Sequence, residues 1–108
     1  MEIIEKVKIV SLAKERWNNT SIEEREAIGE KYKHFLKIEP IGWNHDFDTL
    51  EDRQRNVLVK GQLIRWYDSL PNKIKTKIMQ NIGLSSFSSK WYRLSSSDKR
   101  KLLNCVIS

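Results

Sequence analysis

Residues 2 to 17 set Ile3, Val7, Val10, Ala13 and Trp17 at intervals of three and four, the repeat of one helical face, with no Pro or Gly among them. The pattern predicts a first helix. Asn18-Asn19 ends it, and Thr20 or Ser21, with Glu23 or Glu24 three positions on, supplies the capping chemistry that opens a second helix to about Lys37. That helix turns Ile28, Tyr32, Phe35 and Leu36 inward and Glu23, Glu26, Glu30, Lys33 and His34 outward. Gly29 falls on its apolar side, where a missing side chain would admit the first helix closely.

From Ile38 to Asp48 the periodicity disappears, and Pro40, Gly42, Asn44, Asp46 and Asp48 all favour turns. One long loop is expected here, anchored by Trp43 and Phe47. Thr49 with Asp52 three residues later restarts the chain as a helix to about Asp68. The second half of that helix is apolar nearly all round, through Val57, Leu58, Val59, Leu63, Ile64, Trp66 and Tyr67, which marks it as central. Gly61 inside it costs up to about 1 kcal/mol relative to Ala and points to a helix crossing or a bend.

Ser69-Leu70-Pro71 turns into a fourth helix whose stripe is Ile74, Ile78, Met79 and Ile82, with Gly83 as its stop. Ser85 or Ser86 then caps a short fifth helix with Phe87, Trp91 and Leu94 on one side. Ser95 with Asp98 repeats the capping pattern and opens a last helix to about Val106, burying Leu102, Leu103 and Val106. The expected fold is all-α, a small irregular bundle of five to six helices in one domain over residues 1–108. Its parts are a helical hairpin (1–37), a loop (38–48) and a basic helical part (49–108). Trp17, Tyr32, Phe35, Val57, Ile64, Trp66, Ile78, Phe87, Trp91 and Leu102 are expected in the core.

The four tryptophans, Trp17, Trp43, Trp66 and Trp91, stand 26, 23 and 25 residues apart, each followed by a Ser or Thr. An internal helical repeat would produce this, and so would a Trp late in one helix that packs over the start of the next. The intervening segments share little beyond capping chemistry, which favours the second explanation.

Charge changes the picture more than composition does. The net charge of +6 is the sum of two unlike halves. Residues 1–58 carry 10 Lys/Arg against 12 Asp/Glu, whereas residues 59–108 carry 10 against 2, the acids being Asp68 and Asp98. A field of that kind attracts phosphates, anionic lipid heads or acidic proteins. The longest unbroken apolar runs are three residues, too short for a membrane span or a signal peptide, so a cytoplasmic protein is expected. Cys105 is the single cysteine and sits in an apolar stretch, where a reduced thiol packs as a small hydrophobe.

Within the basic half, Lys77 to Leu94 reads KIMQNIGLSSFSSKWYRL: an apolar helix end, Gly83 as the turn, then a capping serine and a short helix. The segment resembles a helix-turn-helix, whose second helix lies in the major groove of DNA. It departs from that pattern at Ser89, where a buried apolar residue belongs, and needs a rotated second helix. With Phe87, Trp91 and Leu94 inward, Ser86, Ser89, Lys90 and Arg93 face out as candidate contacts to phosphates and base edges. Lys73 and Lys77 before the turn, and Lys99, Arg100 and Lys101 after it, would add phosphate contacts without sequence preference. Lysines on a bundle's solvated face look the same from sequence.

Other chemistry finds little support. His45, Asp46, Asp48, Glu51 and Asp52 lie close in sequence, but they lack the Gly and terminal Glu of a calcium loop, and helix capping with first-turn acids accounts for them. Neither His34 nor His45 stands in triad spacing with a nucleophile, and the four glycines stand alone. No enzyme, cofactor, metal or small-molecule substrate is expected. The expectation is a nucleic-acid-binding protein, with DNA favoured. Its rival is a protein-interaction module or homodimer that buries the Trp17 face of the first helix against a partner.

Overall fold

The computed structural model describes residues 4–36 and 45–107, the side chains of 33–36 excepted. Five α-helices follow in order: α1 (Lys6–Asn18), α2 (Ile22–Leu36), α3 (Asp52–Ser69), α4 (Asn72–Ile82) and α5 (Ser96–Asn104). Short 3-10 turns at Phe47–Thr49 and Trp91–Arg93 lead into α3 and α5. Among the described residues there is no strand, so the bundle is all-α.

The centre of the bundle is α3, which packs along α1 and carries the 91–93 turn on its far part. It buries Val59, Leu63, Trp66 and Tyr67. From α1 come Ile9, Ala13 and Trp17, spaced four apart on one stripe. At 100° per residue Val7 lies about 120° from the middle of that stripe, and it is 78% exposed. The expected inward place of Val7 is therefore corrected, while Val10 is half-buried and Ile3 lies outside the described residues.

Each later helix begins in the same way. Buried aromatics Trp17, Phe47, Trp66 and Trp91 precede the capping positions Ser21, Glu51, Pro71 and Ser95 by four or five residues. The aromatic staples the incoming chain to the core just before the helix starts. Phe47 holds the place in this series before α3, and Trp43 lies outside the described residues. Ser21 Oγ accepts from the Glu24 amide at 3.2 Å, and Ser95 Oγ from the Asp98 amide at 3.1 Å, as capping serines do. Thr49 does not cap α3. Its hydroxyl donates to the Asp46 carbonyl within the 3-10 turn, and the helix opens at Glu51, whose amide donates to Gln54 Oε1 at 3.0 Å.

Among the described residues four polar side chains are buried, Arg25, Gln54, Lys75 and Asp98, and each stands three or four residues past one of those caps. From there a side chain reaches back over the helix start, where amides and the carbonyls of the entering segment need partners. Arg25 donates to the Asn18 carbonyl at 3.1 Å. Gln54 serves Glu51, while Lys75 and Asp98 bind the segment between α4 and α5.

Gly83 closes α4 in the left-handed region, φ 79°, with its own amide and that of Leu84 on the Met79 carbonyl. Gly61 has no atom within 4 Å of where a Cβ would stand, so no helix crossing requires it. It lines, with Trp17, Ile28, Tyr32 and Leu58, a cavity of about 440 Å³ between α1, α2 and α3. Of the expected core, Trp17, Trp66, Ile78, Trp91 and Leu102 are buried. Tyr32, Val57 and Ile64 are half-buried against it. The Phe35 side chain lies outside the described residues, and Phe87 is 44% exposed, contrary to expectation.

Candidate nucleic-acid interface

The short helix expected from Ser85 to Leu94 does not form. Residues 84–90 are irregular, and the 91–93 turn is a single 3-10 turn, so the segment is a strap between α4 and α5 with no recognition helix. The reason lies in what the strap's backbone bonds to. Asp98 accepts from the Ser85 amide at 2.9 Å and from its hydroxyl at 2.8 Å, and Asp68 accepts from the Trp91 amide at 2.8 Å. The Tyr67 hydroxyl donates to the Ser88 carbonyl at 2.5 Å and Lys75 Nζ to the Ser89 carbonyl at 2.6 Å. Side chains of the body thus take the amides and carbonyls that a helix would pair internally. Four serines in residues 85–89 weaken the competing helix further. The Ser88 hydroxyl also accepts from the Lys90 amide and donates to the Lys90 carbonyl.

These anchors are themselves fixed. Asp98 is fully buried, and the Ser85 amide and hydroxyl, with Lys101 and Ser95 nearby, hold its carboxyl below the usual carboxylate range against the opposing effect of burial. Burial, with the charges of Asp68 and Asp98, pushes the Tyr67 phenol up, so that it stays a donor. Its ring meets Trp91 edge-on at 6.0 Å, and Lys75 Nζ sits 5.3 Å from its centroid.

The outer face of the strap has the opposite character. Phe87 and Tyr92 are 44% and 68% exposed. The Arg93 guanidinium lies 5.6 Å from the Tyr92 ring centroid, with Nε donating to the Tyr92 hydroxyl at 3.2 Å. Phe87, Ser88, Ser89 and Arg93 line one shallow depression of about 270 Å³. Of the residues expected to bind nucleic acid, Ser89 and Arg93 meet here; Ser86 and Lys90 are exposed beside them. Lys73 and Lys77 are exposed on α4, on either side of the buried Lys75. Arg100 is exposed and Lys99 half-buried on α5, and Lys101 is committed to the Gly83 carbonyl at 2.8 Å.

Among the described residues, no Lys or Arg beyond position 58 is in an ion pair. Both acids of that half bond to strap amides, Asp98 at complete burial and Asp68 half-buried, and among the described residues neither is paired with a Lys or Arg. Sequence reading missed Tyr67, Asp68, Lys75 and Asp98 as the strap's anchors, and Phe87 and Tyr92 as its exposed aromatics. One signal was present: Lys75 interrupts the apolar stripe Ile74, Ile78, Ile82, a place where a lysine must find buried acceptors.

The acidic stretch before α3 is differently employed. Asp46 pairs with Arg25 at 3.2 Å, Asp48 with Lys14 at 2.6 Å, and Asp52 with Arg55. The Trp17 indole donates to the His45 carbonyl at 2.9 Å, so the first helix's aromatic is spent within the chain. Burial pushes the Cys105 thiol up, away from thiolate reactivity. No helix among the described residues is long and apolar enough to cross a membrane. No family model matches this chain, nor does any curated protein or solved structure.

Proposed function

We propose that this chain is a non-enzymatic nucleic-acid-binding protein, regulatory or architectural, that holds phosphates on the basic face of its C-terminal half. The observation that carries the reading is the state of charge there: exposed Lys73, Lys77, Lys90, Arg93 and Arg100 without carboxylate partners among the described residues, while Asp68 and Asp98 bond to strap amides. Cations left unpaired at a surface cost little to desolvate partly against phosphate, and they release counterions on doing so. Without a recognition helix, contacts of this kind position the nucleic acid and leave its sequence largely unread. Phosphate charge is common to DNA and RNA and does not choose between them.

Fluorescence anisotropy of a labelled duplex and a labelled single strand, at about 50 and 200 mM salt, tests the reading. Micromolar or tighter binding at the lower salt that weakens at least tenfold at the higher is expected. Lys90→Glu with Arg93→Glu should weaken binding at least tenfold and leave thermal stability nearly unchanged, since both side chains are exposed. Absence of binding to either probe at both salts refutes the proposal.

A further inference from the structure

We propose that the strap takes a single strand of nucleic acid, stacking unpaired bases on Phe87 and Tyr92 while Lys90 and Arg93 meet the phosphates; this rests on the reading above and narrows it. The chain buries its other described Trp, Tyr and Phe rings wholly or in part: Trp17, Phe47, Trp66, Tyr67 and Trp91 are 8% exposed or less, and Tyr32 is half-buried. The two aromatics exposed among the described residues are both on the strap, on either side of Lys90 in sequence. They are not scattered.

Three features make that face suit a strand better than a duplex. Flat rings at a surface need a base with a free π-face, and duplex bases have spent theirs on one another. Duplex edges, in turn, are read by an element that enters a groove, and residues 84–93 form none. The third feature is preorganisation. Four side chains of the body, Tyr67, Asp68, Lys75 and Asp98, fix the strap's backbone from behind, so the main chain that carries the two rings is in place before anything binds. Arg93, with its Nε on the Tyr92 hydroxyl and its guanidinium 5.6 Å from the ring centroid, places a positive charge at the rim of one platform, where a phosphate following a stacked base would pass.

The test compares a short oligo-dT, an oligo-U and a duplex of the same length at about 50 mM salt. The proteins are the full chain, Phe87→Leu with Tyr92→Leu, Tyr92→Phe, and Lys90→Glu with Arg93→Glu. The single strands should bind about tenfold or more tighter than the duplex. The double leucine variant should lose that preference, by tenfold or more in single-strand affinity, with its melting temperature unchanged, and Tyr92→Phe should keep it. Tighter binding of oligo-U assigns the strand to RNA and of oligo-dT to DNA, and either result supports the proposal. Equal affinity for strand and duplex, untouched by the leucines but weakened by charge reversal, overturns stacking and leaves the phosphate reading standing. No binding to any probe overturns both.

Discussion

The two halves of the chain use their carboxylates in opposite ways. Before position 58, carboxylates are plentiful and the paired ones stand in solvent: Asp48 on Lys14 is 67% exposed, Glu5 on Lys8 51%, and Asp46 on the buried Arg25 72%. After it only two carboxylates exist, and both are spent on backbone amides of the strap, one of them at complete burial. The paired carboxylates of the first half stand at the surface, whereas the two of the second fix a main chain. A formal charge count therefore understates the difference, because Asp98 is buried and Asp68 half-buried on strap amides, whereas most of the half's Lys and Arg, Lys75 excepted, are exposed.

The sharpest way to break this comparison is Asp98→Ala. It removes two charge-assisted bonds that join a fully buried carboxylate to the amide and hydroxyl of the solvent-exposed Ser85, and should cost about 1.5–3 kcal/mol. Urea unfolding at neutral pH measures it, and a loss under about 1 kcal/mol would show the strap to be held by packing alone. The same carboxyl predicts a pH dependence. Its folded pKa lies below its unfolded one, so its stabilisation is complete above the unfolded value of about 3.9 and is lost as pH falls through the folded value. The gap between wild type and Asp98→Ala should stay constant from neutral pH down to about 5 and close below about pH 4.

Tyr67→Phe is a smaller cut at the same anchor. It keeps the ring against Trp91 and removes only the bond to the Ser88 carbonyl, for an expected cost of about 1 kcal/mol. Its effect on unfolding should be roughly additive with that of a distant surface change and coupled to that of Asp98→Ala, since both hold one strap. Additivity of Tyr67→Phe with Asp98→Ala would mean that the strap is two independent segments.

Much of the fold was legible because periodicity and capping agree. Ala13 and Trp17 on the inner stripe of α1, the Ser21 and Ser95 caps, and the Gly83 stop come from residues whose preference is local, whereas the pattern passes over the buried Ile9 and offers the exposed Val7. The site was legible only in part, and the failure has one cause. Phe87, Trp91 and Leu94 have helical spacing, so the pattern predicted a helix, but the strap's conformation is decided by Tyr67, Lys75 and Asp98 from distant positions. Of those three apolar residues the strap buries Trp91 and Leu94 and turns Phe87 out. Periodicity reports burial only where the element it assumes is formed.

The smallest expected effect tests the other half. Lys14 Nζ and Asp48 are 2.6 Å apart, close enough to look like an anchor for the turn that leads into α3. Both side chains are nevertheless substantially exposed, so water competes for each and salt screens the pair. A double-mutant cycle with Lys14→Met and Asp48→Asn should give a coupling below about 0.5 kcal/mol, falling towards zero near 1 M salt. The turn itself is held by other means: the Phe47 ring is buried, its amide donates to Asn18 Oδ1 at 2.9 Å, and the Thr49 amide and hydroxyl both bond to the Asp46 carbonyl. A coupling near 2 kcal/mol that survives salt would place a structural ion pair in the acidic half and erase the contrast with Asp98. A small, salt-sensitive one would leave the hidden carboxylates of the basic half as the ones on which the fold depends.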